Sequence, residues 1–370
     1  MKPKIFPFIA FLFGSSLSLF GQQSDEKLAP ILTVPRSYTI LKTSEPLTID
    51  GKNDEDVWSK AAWSEPFEDI EGKAEKKPAT SSRFKLLWDN DNLYVYCRFD
   101  EEHIWATLKE HDQSIFQDNA LEMFIDPDGD THNYMEFQIN AFAAIWDLML
   151  NKPPRNGGPS ITDWDIKGLK KAVYIDGTLN NPSDKDKFWG IELAVPLKTF
   201  RYGGNSSLPK VGSTWKMNIT RVYREVDIKD GSYVKKLSAN GRPVQPGYSC
   251  WSVPGLVNFH YPERWGIVRF ADENETNLQF LNVEEEQLKL SVWKYYYLMQ
   301  EYKSKNGKYP TDLAVLQRNF SGLSFKDIEG LKLTGTDFQF TLQKESAKLK
   351  MAVSVDHESK FAARMIPENN

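Results

Sequence analysis

The 370-residue chain has only two cysteines, Cys97 and Cys250, so it is no disulfide-framed small scaffold. It has no C-x-x-C-H haem-attachment motif, no G-x-S-x-G elbow, no Cys-His pairing that suggests a nucleophile and no Gly-rich phosphate loop. Of five histidines, His103, His111 and His132 lie in one half, and none forms an H-x-x-x-H helix, so zinc finds little support. Basic blocks are missing as well. The balance is 46 Lys and Arg against 51 Asp and Glu, a net charge of -5, which argues against nucleic acid as a partner. Beyond the first 20 residues no apolar run is long enough to cross a bilayer.

What is present begins with an export signal. Lys2 and Lys4 precede an apolar run from Ile5 to Phe20, broken by Pro7, Gly14 and serines, with Gly21, Gln22 and Gln23 after it. This is the pattern of a secretory signal peptide over 1–22, and it weighs more than a transmembrane anchor because the run is short and ends in small residues. No Cys lies near the cut to carry a lipid. The expected mature protein is secreted or periplasmic, with no membrane span after cleavage. In such a compartment a Cys97–Cys250 disulfide and two buried thiols are both open readings. Cys97 shares register with Leu93, Val95 and Phe99 in LYVYCRF and so faces a core.

Residues 23–37 read as a polar linker with Pro30 and Pro35. From 38 to 270 short strands alternate with turn formers. Strands are expected at 38–42, 47–49, 83–89, 92–100, 119–126, 133–141, 144–150, 171–176, 187–195, 215–224, 248–252 and 266–270. Turns fall at 89–92, 128–130, 176–177 and 203–205. A short helix over 54–61 takes Asp54 as its cap, and a turn of helix fits 196–200. The fold class is mainly β, an antiparallel sandwich, which also accounts for most of the 48 aromatic residues.

A small α+β domain follows at 283–360. Its long helix starts with acids and ends with lysines, and Leu288, Val292, Tyr296 and Met299 trace one face, widened by Trp293, Tyr297 and Tyr302. Gly307 and Pro310 stop it. A helix at 311–318 and a hairpin at about 331–355 complete the domain, with Leu331, Leu333, Phe338, Phe340, Leu342, Leu349, Met351 and Val353 alternating.

The most informative stretch is Phe116–Asn140, FQDNALEMFIDPDGDTHNYMEFQIN, two strands about an Asp/Gly turn. Alternation puts Leu121, Met123 and Ile125 on one face and Glu122 on the other; in the second strand Tyr134, Glu136, Gln138 and Asn140 share a face. A carboxylate, amides and a phenol on one sheet surface can hydrogen-bond a polar ligand.

Six phrases occur in a fixed order: LTIDGKNDEDVWSKA, RFKLLWDNDNLYVYCRFDE, QDNALEMFID with YMEFQIN, FWGIELAVPLKTF, WKMNITRVYRE and CWSVPGLVNFHYPERWGIVRF. Together they resemble the family 9 carbohydrate-binding modules and the wider DOMON-like group of secreted β-sandwiches, over residues 38–270. The resemblance implies a sugar clamped between two aromatic rings, here Phe116 (beside Ile115) and Phe259, with Glu122, Gln138 and Asn140 bonding its hydroxyls. The chain departs from the pattern in having no Trp at either ring and Gln138 where Arg is common. Trp105, Trp146, Trp164 and Trp251 are alternative platforms, though core packing is the weightier reading of each.

For metal, Asp126, Asp128 and Asp130 offer hard oxygen ligands in a turn, compatible with structural calcium; an ordinary Asp/Gly turn is the stronger reading, and no cofactor is required. Haem is disfavoured, because Met123, Met135, Met149 and Met217 sit in core register. The expected function is non-catalytic binding of a saccharide or similar polyhydroxylated ligand, serving carbohydrate catabolism beside glycoside hydrolases. The alternatives are an extracytoplasmic interaction or scaffold protein that docks another protein with a degenerate sugar site, and a glycoside hydrolase built on Glu122 and Glu136.

Overall fold

The computed structural model describes residues 28–73, 76–201 and 208–367. The expected signal peptide, the first residues of the linker and the 203–205 turn lie outside the described residues. Two compact units form, one over 34–283 and one that joins residues 28–33 with 284–367.

In the larger unit the strands are β1 (Ser37–Lys42), β2 (Glu68–Asp69), β3 (Ser82–Trp88), β4 (Asn92–Asp100), β5 (Ala120–Asp126), β6 (Tyr134–Asn140), β7 (Ile145–Leu150), β8 (Ser160–Ile161), β9 (Lys170–Asp176), β10 (Phe188–Pro196), β11 (Thr214–Tyr223), β12 (Val226–Lys229), β13 (Ser232–Lys235), β14 (Gly247–Cys250) and β15 (Gly266–Ala271). All but β12 and β13 join one 13-stranded sheet in the order β8-β7-β6-β5-β11-β15-β1-β3-β4-β10-β9, with β14 on β11 and β2 on β14. The sheet folds over on itself. One limb is β8 to β15 and the other is β3 to β9. Their inward residues meet in one core, where Leu121, Met123, Phe137 and Met217 join Phe84, Val95, Ile191 and Leu193.

Most pairings are antiparallel as expected. β1 is the exception: it pairs in parallel with both β15 and β3 and so seams the two limbs. Local sequence does not encode that, because a parallel pair needs a long crossover. The strand expected at 47–49 does not form. The first helix, α1, is Val57–Lys60, preceded by Asp56 and not capped by Asp54; Asp56 makes no side-chain cap bond. The β12–β13 hairpin was not foreseen. Cys97 and Cys250 are both buried, free thiols, the first in the main core and the second in another cluster with Phe124 and Trp265.

A buried polar clasp ties the limbs together. Arg221 Nη2 donates to Glu101 Oε2 at 2.8 Å, and its Nη1 reaches Ser82 Oγ and the Asp100 carbonyl. Trp189 Nε1 also donates to Glu101, as does Asn119 Nδ2.

In the smaller unit, α2 (Val283–Asn306) ends where Gly307 takes φ 74° and its N–H bonds the Lys303 carbonyl. α3 is Leu313–Asn319, capped by the Asp312 side chain. A four-stranded antiparallel sheet follows, of β16 (Leu331–Gly335), β17 (Phe340–Ser346), β18 (Met351–Asp356) and β19 (Phe361–Met365), where the sequence pattern suggested a single hairpin. Phe338 is 79% exposed, and Leu349 lies in a turn, because both fall between strands. α2 is buried nearly all round from Val292 to Met299. Tyr296 and Trp293 pack on Phe340 and Phe361 of the sheet, while Lys294 and Tyr295 bond Asp327.

Candidate functional site

Strand pairing builds a polar row across the outer face of the first limb. Thr220 of β11 pairs with Glu122 of β5, Glu122 with Gln138 of β6, and Gln138 with Trp146 of β7. The inward neighbours of these residues enter the core, so the row is forced outward by alternation. Glu136 lies one step along β6 on the same face.

The row is held together and still has spare capacity. Thr220 Oγ1 donates to Glu122 Oε2 at 3.1 Å, leaving Oε1 of Glu122 without a hydrogen bond among the described residues. Gln138 Nε2 donates to Glu136 Oε1 at 2.8 Å, and its Oε1 accepts from the Phe116 backbone N–H at 2.9 Å. Burial, with the Glu136 charge second, pushes Glu122 from 4.5 up to about 8. Burial likewise pushes Glu136 up to about 7. Behind Glu136, His260 Nδ1 meets the Tyr134 hydroxyl at 2.9 Å, and burial drives its pKa down to about 4, so the ring is neutral. Its Nε2 lies 3.8 Å from Glu136.

Aromatic rings flank the row. Phe116 is half-buried with its ring centroid 5.8 Å from that of Trp146, also half-buried. Phe259 is buried against Phe124 and Tyr248, at 5.7 Å from each. It therefore backs the surface, and the half-buried Tyr248 in front of it is the better-exposed ring. Of the four tryptophans considered as platforms, Trp105 and Trp251 are buried, Trp164 packs on the main core, and only Trp146 borders the polar row.

Asn140 plays a different part from the one expected. Its Nδ2 donates to the Leu108 carbonyl and Asp118, while Oδ1 accepts from the N–H groups of Phe142 and Ala144. Every hydrogen-bonding position of the amide is taken, so it staples loops beside the site.

Arg224 is the residue the strand pattern missed. It continues the Thr220–Val222 alternation just past the end of β11. Its N–H donates to Asn119 Oδ1 and its Nε to the Phe116 carbonyl at 3.0 Å. The two Nη groups make no hydrogen bond among the described residues, and the guanidinium acts electrostatically on Glu122, Asp118 and Tyr248. A guanidinium thus stands at the edge of the polar row, just past the end of β11, two strands over from position 138. Only the β11–β5 pairing reveals this, and that pairing spans about a hundred residues of sequence.

Asp126, Asp128 and Asp130 do come together, with carboxylate oxygens within 4.8 Å of one another. Asp126 is spent on its own turn, accepting from the N–H groups of Gly129 and Thr131. Burial and the two neighbouring carboxylates raise its pKa well above the usual range. The set can hold a hard cation but does not need one to close the turn.

No curated protein matches the chain. Among solved structures, a candidate carbohydrate-binding protein from Bacteroides uniformis is 17% identical, with 64% of this chain and 99% of the other covered at a TM-score of 0.46. A family 9 carbohydrate-binding module from Caldicellulosiruptor kristjanssonii, solved with cellotriose, is 15% identical over 67% of this chain and 100% of its own at a TM-score of 0.41. The same module solved with glucose matches at 15% identity over 66% of this chain and 100% of its own, also at 0.41. Residues 49–156, which hold the Glu122–Gln138–Trp146 row, match the family described as carbohydrate family 9 binding domain-like.

Proposed function

We propose that the sandwich binds a saccharide, without catalysis, on the outer face of β5, β6 and β11. The observation that carries the reading is the convergence of Glu122, with a spare acceptor oxygen, and Arg224, with two spare donor groups, beside the Phe116–Trp146 ring pair. Hydroxyls both donate and accept, so the Glu122 carboxyl group next to the Arg224 guanidinium serves vicinal hydroxyl groups, while the rings take the apolar face of a sugar. The family match over 49–156 supports the same ligand class. In this reading the chain is exported, works beside enzymes of carbohydrate catabolism and requires no cofactor.

A glycan array followed by titration calorimetry tests it. Arg224→Ala removes charge-assisted hydrogen bonds worth roughly 1.5–3 kcal/mol, so affinity is expected to fall about 10- to 100-fold. Trp146→Ala, which removes one ring of the pair, is expected to cost about 10-fold. Binding of no glycan by the wild type, or equal binding by both variants, would sink the proposal. Release of reducing sugar, abolished by Glu122→Gln, would replace it with a hydrolase.

A further inference from the structure

On the face of β7 opposite Trp146 and the polar row, four side chains converge from three separate segments. His111 and Asp112 belong to the loop between β4 and β5. Asp147 lies within β7. Asp165 is in the loop between β8 and β9. One atom of each lies within 4.8 Å of all the others. We propose that His111, Asp112, Asp147 and Asp165 bind one divalent transition-metal ion of the zinc type.

Asp147 is the anomaly that points there. Its neighbours on the same face of β7, Ile145 and Met149, both enter the main core. A carboxylate at that position, 2% exposed, costs stability unless it is paired or bound to a metal, and without an ion its Oδ1 pairs with His111 Nε2 at 2.8 Å. Its Oδ2 accepts from the Ile166 N–H at 2.6 Å, which fixes the carboxylate and aims Oδ1 at the cluster. That is the orienting contact metal ligands need. The Asp112 N–H bonds the Ile145 carbonyl, so the His111–Asp112 loop is pinned to β7 as well.

The spacing fits tetrahedral coordination. His111 Nε2 lies 2.8 Å from Asp147, 3.5 Å from Asp112 and 3.8 Å from Asp165. Bonds of about 2.0–2.1 Å to zinc give a tetrahedron with edges of about 3.3–3.4 Å. The three spacings bracket that edge. One imidazole nitrogen with three carboxylates also sets the class of ion, since calcium takes six to eight oxygens and no nitrogen. A cleft of about 610 Å³ opens over the cluster, lined further by Lys109, Phe142 and Lys171, and gives an ion its entry path. His111, Asp112 and Asp165 are each about half exposed at its mouth, so they shift onto an ion without disturbing the core. The sugar site has no part in this geometry.

The test uses the full chain without a histidine tag, stripped with chelator and dialysed. Zn²⁺ is expected to bind with a stoichiometry of one by calorimetry, and Co²⁺ to give the intense visible absorption of a tetrahedral complex. His111→Ala and Asp165→Asn each remove one ligand at a half-exposed position, and each is expected to weaken Zn²⁺ at least 10-fold; Asp165→Asn leaves the metal-free melting temperature unchanged, whereas His111→Ala lowers it because the buried Asp147 Oδ1 loses its Nε2 partner. Asp112→Asn is the milder probe of the fourth ligand. Zn²⁺ binding that is absent, or equal in wild type and the His111→Ala variant, overturns the proposal. So does Ca²⁺ binding as tightly as Zn²⁺ in competition. Glycan affinity measured on the same variants keeps failure here distinct from failure of the saccharide reading.

Discussion

Glu101→Ala is expected to lower the unfolding free energy by about 3–5 kcal/mol in urea denaturation. The substitution removes one partner of a buried ion pair and leaves the other behind. Arg221 is 1% exposed, and its guanidinium has Glu101 as its ionic partner. Burial lowers the Arg221 pKa and raises that of Glu101, so the pair carries a desolvation cost that each partner's charge offsets for the other. Three donors lose their acceptor at the same time: Trp189 Nε1, Asn119 Nδ2 and Arg221 Nη2. Replacing both partners with apolar residues of similar size, as in Glu101→Leu with Arg221→Met, is expected to cost far less than either single change. Equal or additive losses in that cycle would show that the pair does not act as a unit. The clasp also reaches the candidate site. Asn119 donates to Glu101 with one end of its amide and accepts the Arg224 N–H with the other. Loss of Glu101 is therefore expected to weaken saccharide binding before it unfolds the protein.

Alternation made most of the sandwich legible, because each strand buries one face and its pattern is local. Leu121, Met123 and Ile125 faced the core and Glu122 faced out, as the period of two requires. Long-range pairing was not legible. Nothing within SYTILK says that β1 runs parallel to both neighbours. For the same reason Arg224 stayed hidden. It stands past the end of its strand, and its tie to Glu122 exists only once β11 lies beside β5. Asn140 shows the opposite failure. Its face was read correctly, but the face does not reveal that loop backbone at 108 and 142–144 consumes the amide. Asp147 looked like one polar residue in an ordinary strand, since its partners come from loops about 36 residues before it and 18 after.

The polar row is also expected to make stability depend on pH, in a way the double variant Glu122→Gln with Glu136→Gln abolishes. Both carboxyls titrate higher in the fold than in the open chain, near 8 and 7 against 4.5. A group raised in this way holds its proton more tightly when folded. Its contribution is fully present below about pH 4.5 and is lost as pH rises through the folded values. His260 has the opposite sign. Its pKa falls from 6.5 to about 4, so its contribution is present above 6.5 and is lost as pH drops toward 4. Between 4.5 and 6.5 the histidine cancels one of the two carboxyls; above 6.5 nothing at the site opposes them. The steepest loss is therefore expected from about pH 6.5 to 7, with a further loss through Glu122 alone up to about pH 8. A tenfold difference in proton affinity between the folded and open chain is worth about 1.4 kcal/mol. The wild type should thus lose several kcal/mol relative to the double variant between pH 5 and 8, most of it by about pH 7 where Glu136 also titrates. Other buried carboxyls, such as Glu192, are present in both proteins and cancel in the difference. Denaturation curves at stepped pH measure it. Parallel stability profiles for the two proteins would mean that Glu122 and Glu136 do not share the desolvated surface from which the saccharide site is built.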